Sequence, residues 1–276
     1  MSKNNYFLLV YLFPIWLFCQ NQYTVYDSIS KEVIPYASIW KDHIIYANAD
    51  EKGNFIILDA SSKSKYSISS LGYKTKSFEL IENKIYLNFD TINLKEIQIL
   101  RPSFTKEIKL CSNKNKDILL VVAKNNIRMS EIGKIFYIKD SSIVFLNEIN
   151  FNTFSLLDKC TVNIKIYSLD KYDYPNEVLN PEGLICTIKK GARITKIDLK
   201  ENPIKITDNK FMVSIQILLI EENKNYREYN KELYQYEPCL FLKNNTNEND
   251  TRTMLENRKW EVSKNTDLNI QVKLTN

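Results

Sequence analysis

The sequence predicts an all-β protein made of two successive β-sandwiches, and three observations carry that prediction. Short runs alternate apolar and polar residues with a period of two, as in Tyr23-Thr24-Val25-Tyr26 and Lys84-Ile85-Tyr86-Leu87-Asn88, which is the pattern of strands with one buried face. These runs are rich in β-branched and aromatic residues, which favour the pleated backbone. Two of the five glycines fall where a strand must reverse, in Asp50-Glu51-Lys52-Gly53-Asn54-Phe55 and in Ser69-Ser70-Leu71-Gly72-Tyr73. Glycine reaches positive φ without steric cost, so both stretches read as turns.

The chain opens with Lys3 and then Tyr6-Phe7-Leu8-Leu9-Val10-Tyr11-Leu12-Phe13-Pro14-Ile15-Trp16-Leu17-Phe18-Cys19, an uncharged and largely apolar run. A membrane-spanning helix needs about 20 such residues and a signal h-region about 7–15. Residues 1–19 therefore read as a signal peptide, cleaved between Cys19 and Gln20, and the mature chain as exported to the periplasm, the outer-membrane surface or the medium. The rival is a lipoprotein acylated at Cys19, the one route to membrane association. Bulky Trp16 and Phe18 suit that processing poorly, because it wants a small residue before the cysteine.

Residues 20–100 form the first sandwich, with Pro35 at the start of a strand, where a missing N–H is tolerated. Asp50 can bond its own backbone in the turn at 50–54; that turn has acidic residues but not the twelve-residue ligand pattern of a calcium loop. Residues 101–117 are polar and aperiodic, and read as a linker. From residue 118 a second series begins with Ile118-Leu119-Leu120-Val121-Val122, Lys134-Ile135-Phe136-Tyr137-Ile138 and Ser142-Ile143-Val144-Phe145-Leu146. It continues through Val162-Asn163-Ile164-Lys165-Ile166-Tyr167, Gly183-Leu184-Ile185-Cys186-Thr187-Ile188 and Phe211-Met212-Val213-Ser214-Ile215-Gln216-Ile217. Cys239-Leu240-Phe241-Leu242 and Leu268-Asn269-Ile270-Gln271-Val272 close it. So many strands over 118–276 predict a second, jelly-roll-like sandwich. Within 221–237, Tyr226, Tyr229, Leu233 and Tyr236 have the spacing of one helical face, so an inserted helix competes there with a long loop. The stretch reads as too charged for core.

In the first unit the order of motifs is Ile34-Pro35-Tyr36-Ala37-Ser38-Ile39, then the Asp50 turn, then Ile68-Ser69-Ser70-Leu71-Gly72-Tyr73-Lys74, then Asn93-Leu94-Lys95-Glu96-Ile97-Gln98-Ile99. That order resembles the carboxypeptidase regulatory-like domain, a transthyretin-like seven-stranded β-sandwich, over about 80 of the 276 residues. The chain departs from the family at Tyr23 and Tyr46-Ala47, where glycine is usual. The resemblance implies an N-terminal module of a Gram-negative envelope protein, as in TonB-dependent receptors, and it implies no peptidase activity. More loosely, Ser130-Glu131-Ile132-Gly133, Tyr174-Pro175-Asn176-Glu177-Val178-Leu179 and Ile197-Asp198-Leu199 resemble the C-terminal half of similar exported proteins. The chain itself is too short for such a receptor: a barrel of about 22 strands of about 10 residues each needs more residues than the chain holds beyond residue 100.

Composition narrows the chemistry. With 44% hydrophobic and 26% charged residues, the chain is an ordinary globular one of one or two domains. Its net charge of +5 is dispersed, so no nucleic-acid partner is expected. A zinc peptidase takes three protein ligands, commonly two of them histidine, and this chain has one histidine, His43, read as a surface residue beside a strand. No Gly-x-Ser-x-Gly elbow and no phosphate-binding glycine loop is present. Cys111, Cys160, Cys186 and Cys239 fit no metal spacing; an exported location permits three full disulfide pairings of them, and buried free thiols are the plainer reading. No cofactor or metal site is expected.

Two chemical options remain. Glu131, Glu148, Asp158, Asp170 and Asp198 are candidates for a glycosidase carboxylate pair, which requires two on one sheet face and one with a raised pKa. Tyr172 and Tyr174, in Lys171-Tyr172-Asp173-Tyr174-Pro175-Asn176, are candidates for stacking on a sugar, though tyrosines at a sandwich rim also pack for their own sake. The expected function is a non-catalytic binding or scaffolding module that contacts a surface glycan or an envelope protein. The alternative is a glycan hydrolase.

Overall fold

The computed structural model describes residues 22–58, 64–90, 102–111, 118–124, 131–140, 142–227, 230–244, 250–254 and 259–276. The signal-like segment 1–19 and the run at 93–99 lie outside them. Among the described residues all regular structure is β apart from one 3-10 turn, and no helix is long and apolar enough to cross a membrane.

The first unit contains β1 (Gln22–Asp27), β2 (Ser38–Lys41), β3 (Ile44–Asn48), β4 (Asn54–Ile56), β5 (Tyr66–Ser69), β6 (Lys76–Phe78) and β7 (Lys84–Leu87). These seven strands make two sheets, ordered β4-β1-β7 and β3-β2-β5-β6. Period-two patterning decides which side chains meet between them: Tyr23 and Val25 of β1 are buried while Thr24 and Tyr26 are half-exposed. They pack with Ile39, Phe55, Ile68 and Leu87, each such side chain contributing about 1.5–3 kcal/mol. Asp50 closes the turn before β4 as expected, its Oδ1 accepting the N–H groups of Lys52 and Asn54 at 2.8 Å each. Gly53 there has φ 74°, and a Cβ would lie 3.0 Å from the Val25 carbonyl oxygen. Pro35 differs from expectation. It lies in a turn ahead of β2 rather than in the strand, and Tyr36 takes a positive φ of 56° to complete the reversal.

The second unit contains β8 (Glu107–Cys111), β9 (Ile118–Lys124), β10 (Glu131–Tyr137), β11 (Phe145–Leu169), β12 (Pro175–Val178), β13 (Leu184–Asp198) and β14 (Ile204–Lys205). It continues with β15 (Lys210–Ile217), β16 (Lys224–Arg227), β17 (Asn230–Asn244), β18 (Thr251–Met254), β19 (Trp260–Val262), β20 (Thr266–Leu268) and β21 (Ile270–Thr275). All fourteen belong to one hydrogen-bonded sheet, which becomes a sandwich by curling over its own core. The corner is made by the antiparallel pair β11–β13, whose register shifts between Ser155 and Lys159. Before the shift, β11 pairs with β21; after it, with β15. Leu146, Ile149 and Phe151 of the first arm thereby share a core with Val162, Ile164 and Ile166 of the second.

Three expectations differ from this arrangement. Residues 107–111, assigned to a linker, are β8 and pair with β21 in register Glu107↔Thr275 through Cys111↔Gln271. The alternation of Ile108 and Leu110, both packed on the core, is only two residues deep and is hidden by flanking lysines. Within 221–237, Glu221–Asn223 is the single 3-10 turn, and the described residues after it belong to β16 and β17, which pair with Tyr226 opposite Tyr234 in place of the expected longer helix or loop. Tyr226, Tyr234 and Tyr236 form a ladder with ring centroids 5.6 and 5.5 Å apart. Tyr234, the ring that meets Tyr226, is not one of the four residues at helical spacing, and of those four Tyr229 lies outside the described residues. Charge does not keep the stretch out of the interior either, since Tyr236 and Glu237 are buried.

The two units are joined by more than the chain. The Asn48 N–H donates to the Leu219 carbonyl at 3.1 Å, and the Leu219 N–H returns a bond to Asn48 Oδ1 at 2.9 Å. Gln216 Nε2 donates to Ser38 Oγ at 3.4 Å. Trp40 and Ile45 extend their apolar surface into the second unit's core.

Candidate functional site

An open groove of about 810 Å³ lies at the two ends of β13, within the size range of small-ligand sites. It forms because β13 follows β11 round the corner, so that Leu184 at its start and Ile197 and Asp198 at its end line the same space. Leu199 and Ile204 add apolar lining, while Glu182, Lys200, Glu201 and Asn202 make it polar. Gly183, at φ 68°, admits the chain there, since a Cβ would sit 2.7 Å from Asn163 Oδ1. No residue of β11 itself lines the groove, although Asn180 and Ile204, which do, are hydrogen-bonded to or paired with that strand.

The five candidate acids fall into different surroundings. Glu148 and Asp198 are directly opposite across β11–β13, and residues so paired share a sheet face. Glu148 is buried and meets Lys196 at 2.8 Å and Lys273 at 3.2 Å, with Asn150 Nδ2 donating at 2.7 Å. Burial alone would raise its carboxyl, but hydrogen bonds from Lys196, Asn150 and Lys273 outweigh it and hold the group down at about 2. That is the reverse of what a general acid needs. Glu131 lies on β10, fully buried, accepting from Lys165 Nζ at 2.9 Å, from the Tyr167 hydroxyl at 3.0 Å and from Ser214 Oγ. Asp158 is exposed at the corner beside Lys190. Asp170 closes its own turn, accepting the N–H groups of Tyr172 and Tyr174 at 2.8 and 2.9 Å.

That turn sets the two candidate tyrosines on the surface, Tyr172 67% and Tyr174 37% exposed. Neither lines the groove. Each carries a cation over its ring: Lys171 lies 4.8 Å from the Tyr172 centroid and the Arg252 guanidinium 5.7 Å from that of Tyr174. Lys210 and Arg252 brace the turn through Asp173. His43 is exposed, at φ 69° in the β2–β3 turn. All four cysteines in the described residues are free thiols. Burial pushes Cys160 up to about 11 and, with Glu237 beside it, Cys239 up to about 12, which leaves both unreactive at neutral pH. No cluster of metal-ligating side chains occurs among the described residues.

The groove is not legible in the sequence, because its lining comes from the ends of a strand whose second half has no clear period. The buried ion pair of Lys134 on β10 with Asp267 on β20 is a second feature that sequence reading misses. A lysine between Ile132 and Phe136, both core residues, is the signal for it.

No family model and no curated protein matches the chain. Among solved structures, a clostridial cysteine protease, Cwp84 after propeptide cleavage, matches with a TM-score of 0.38 and 12% identity, over 81% of this chain and 48% of that one. The chain thus spans about half the length of the structure it matches.

Proposed function

We propose that this chain is an exported, non-catalytic envelope protein that binds or scaffolds a partner, with a carboxypeptidase regulatory-like sandwich at its N-terminus. The observation that carries the reading is the groove at the ends of β13, which offers apolar lining with polar groups around it, as binding sites do. The one directly opposed pair of candidate acids, Glu148 and Asp198, supports a non-catalytic role, because two lysines occupy Glu148. Seven strands in two sheets agree with the regulatory-like resemblance. The signal-like opening of the sequence supports export, and surface glycans and envelope proteins are the partner classes that location offers.

The test is a binding screen of the full chain against envelope polysaccharide fragments and solubilised envelope proteins, with product analysis on every binder. Saturable binding without turnover is the expected result. Release of sugar products that disappears in Glu148→Gln would establish the hydrolase instead.

A further inference from the structure

We infer that the free edge of β13 is a strand-addition site for an extended, acidic polypeptide segment. The inference rests on the reading of this chain as a binding module and names the class of its partner. Among the described strands β13 pairs with β11 alone, so one side of a fifteen-residue strand has no strand partner among them. Its second arm, residues 191–198, runs in unbroken register against 148–155. A regular edge of that length is a template for another strand. Ile194 on this arm is 71% exposed, which gives an added strand apolar surface to cover.

Charge selects the occupant. β13 carries Lys189, Lys190, Arg193 and Lys196, and its single acid is Asp198 at the end. Lys190 is engaged by Asp158 and Lys196 by Glu148. Among the described residues neither Lys189 nor Arg193 meets a carboxylate; Arg193 Nε donates to the Lys190 carbonyl at 2.8 Å. Two copies of this edge would set bases against bases, which disfavours pairing of the chain with itself. A partner strand with acidic side chains over the corner meets opposite charges instead. Toward Asp198 the sign changes, since Glu182 and Glu201 border the groove there. The partner's acids therefore lie at the corner end and its apolar end over Ile197, Leu199 and Ile204.

The experiment measures binding of three capped, fluorescent octapeptides to the full chain by anisotropy: alternating glutamate and valine, the same with lysine for glutamate, and the glutamate peptide with alternate amides N-methylated. The glutamate peptide should bind saturably and the other two at least tenfold more weakly. Lys189→Glu with Arg193→Glu, both at exposed positions, should reverse the preference between acid and lysine; circular dichroism checks that the fold is kept. Equal affinity for both charges, or indifference to N-methylation, overturns the inference, as does concentration-dependent pairing of the chain with itself. If no peptide binds while an envelope ligand still does, strand addition fails and the binding-module reading stands; silence in both experiments overturns both.

Discussion

At the level of single residues, Glu131, Lys134 and Glu148 of the second unit are buried in ion pairs, and the pairs make predictions. Glu148→Gln removes an acceptor from Lys196, Lys273 and Asn150 and should cost about 1–3 kcal/mol at neutral pH. Because the folded-state carboxyl is held at about 2 against an ordinary 4.5, its contribution is complete above the ordinary value and lost as pH falls from about 4.5 to about 2. Urea melts of wild type and variant should therefore converge across that window. The Lys134–Asp267 pair is buried on both sides. Lys134→Met alone takes the lysine away from a buried carboxylate and should cost about 3–5 kcal/mol, while adding Asp267→Leu should recover a large part of it, which a double-mutant cycle in urea measures. Single residues are the hardest scale to read from sequence: the five acids are visible as residue types, but which lysine neutralises which acid depends on cross-strand register.

At the level of elements, strands with a clean alternation are legible and bends are not. The runs at 134–138, 162–167 and 211–217 all lie in strands or directly at their ends, because one face of each is fully apolar. The sequence reads β11 as two strands because its apolar phase breaks where the register shifts between Ser155 and Lys159. The corner contains Gly191, which has φ 90° and open space where a Cβ would lie. Gly191→Ala meets no atom, so any loss comes from the backbone alone; about 1–2 kcal/mol is expected. A melt that shows no loss would mean that the corner tolerates an ordinary φ. The pairing of β16 with β17 escapes sequence reading because spacing along a chain does not say which residues a reversal brings opposite one another, here Tyr226 and Tyr234.

For the whole molecule, the two-sandwich plan is legible, while the way the halves join is not. The sequence suggests a linker, yet β8 is built into the second sheet and Asn48 is bonded twice to Leu219. Asn48 looks like any polar strand residue until its partner, 171 positions away, is placed beside it. Asn48→Ala removes the side chain's bonds to Leu219, Tyr36 and Ser38 and leaves the buried Leu219 N–H unsatisfied, at about 1–3 kcal/mol; calorimetry should show unfolding broaden or split relative to the wild type. The groove beside β13 is likewise a product of the curled sheet and of no local motif. Its role is tested most directly by the melting behaviour of the full chain and of Asn202→Trp, which fills the groove from an exposed position, across a series of envelope ligands. A groove-binding module predicts a saturable stabilisation of the wild type, about 2.7 kcal/mol at a hundredfold excess over Kd, lost in Asn202→Trp and unaccompanied by product. An equal rise in both proteins, or product released by the wild type, would contradict it.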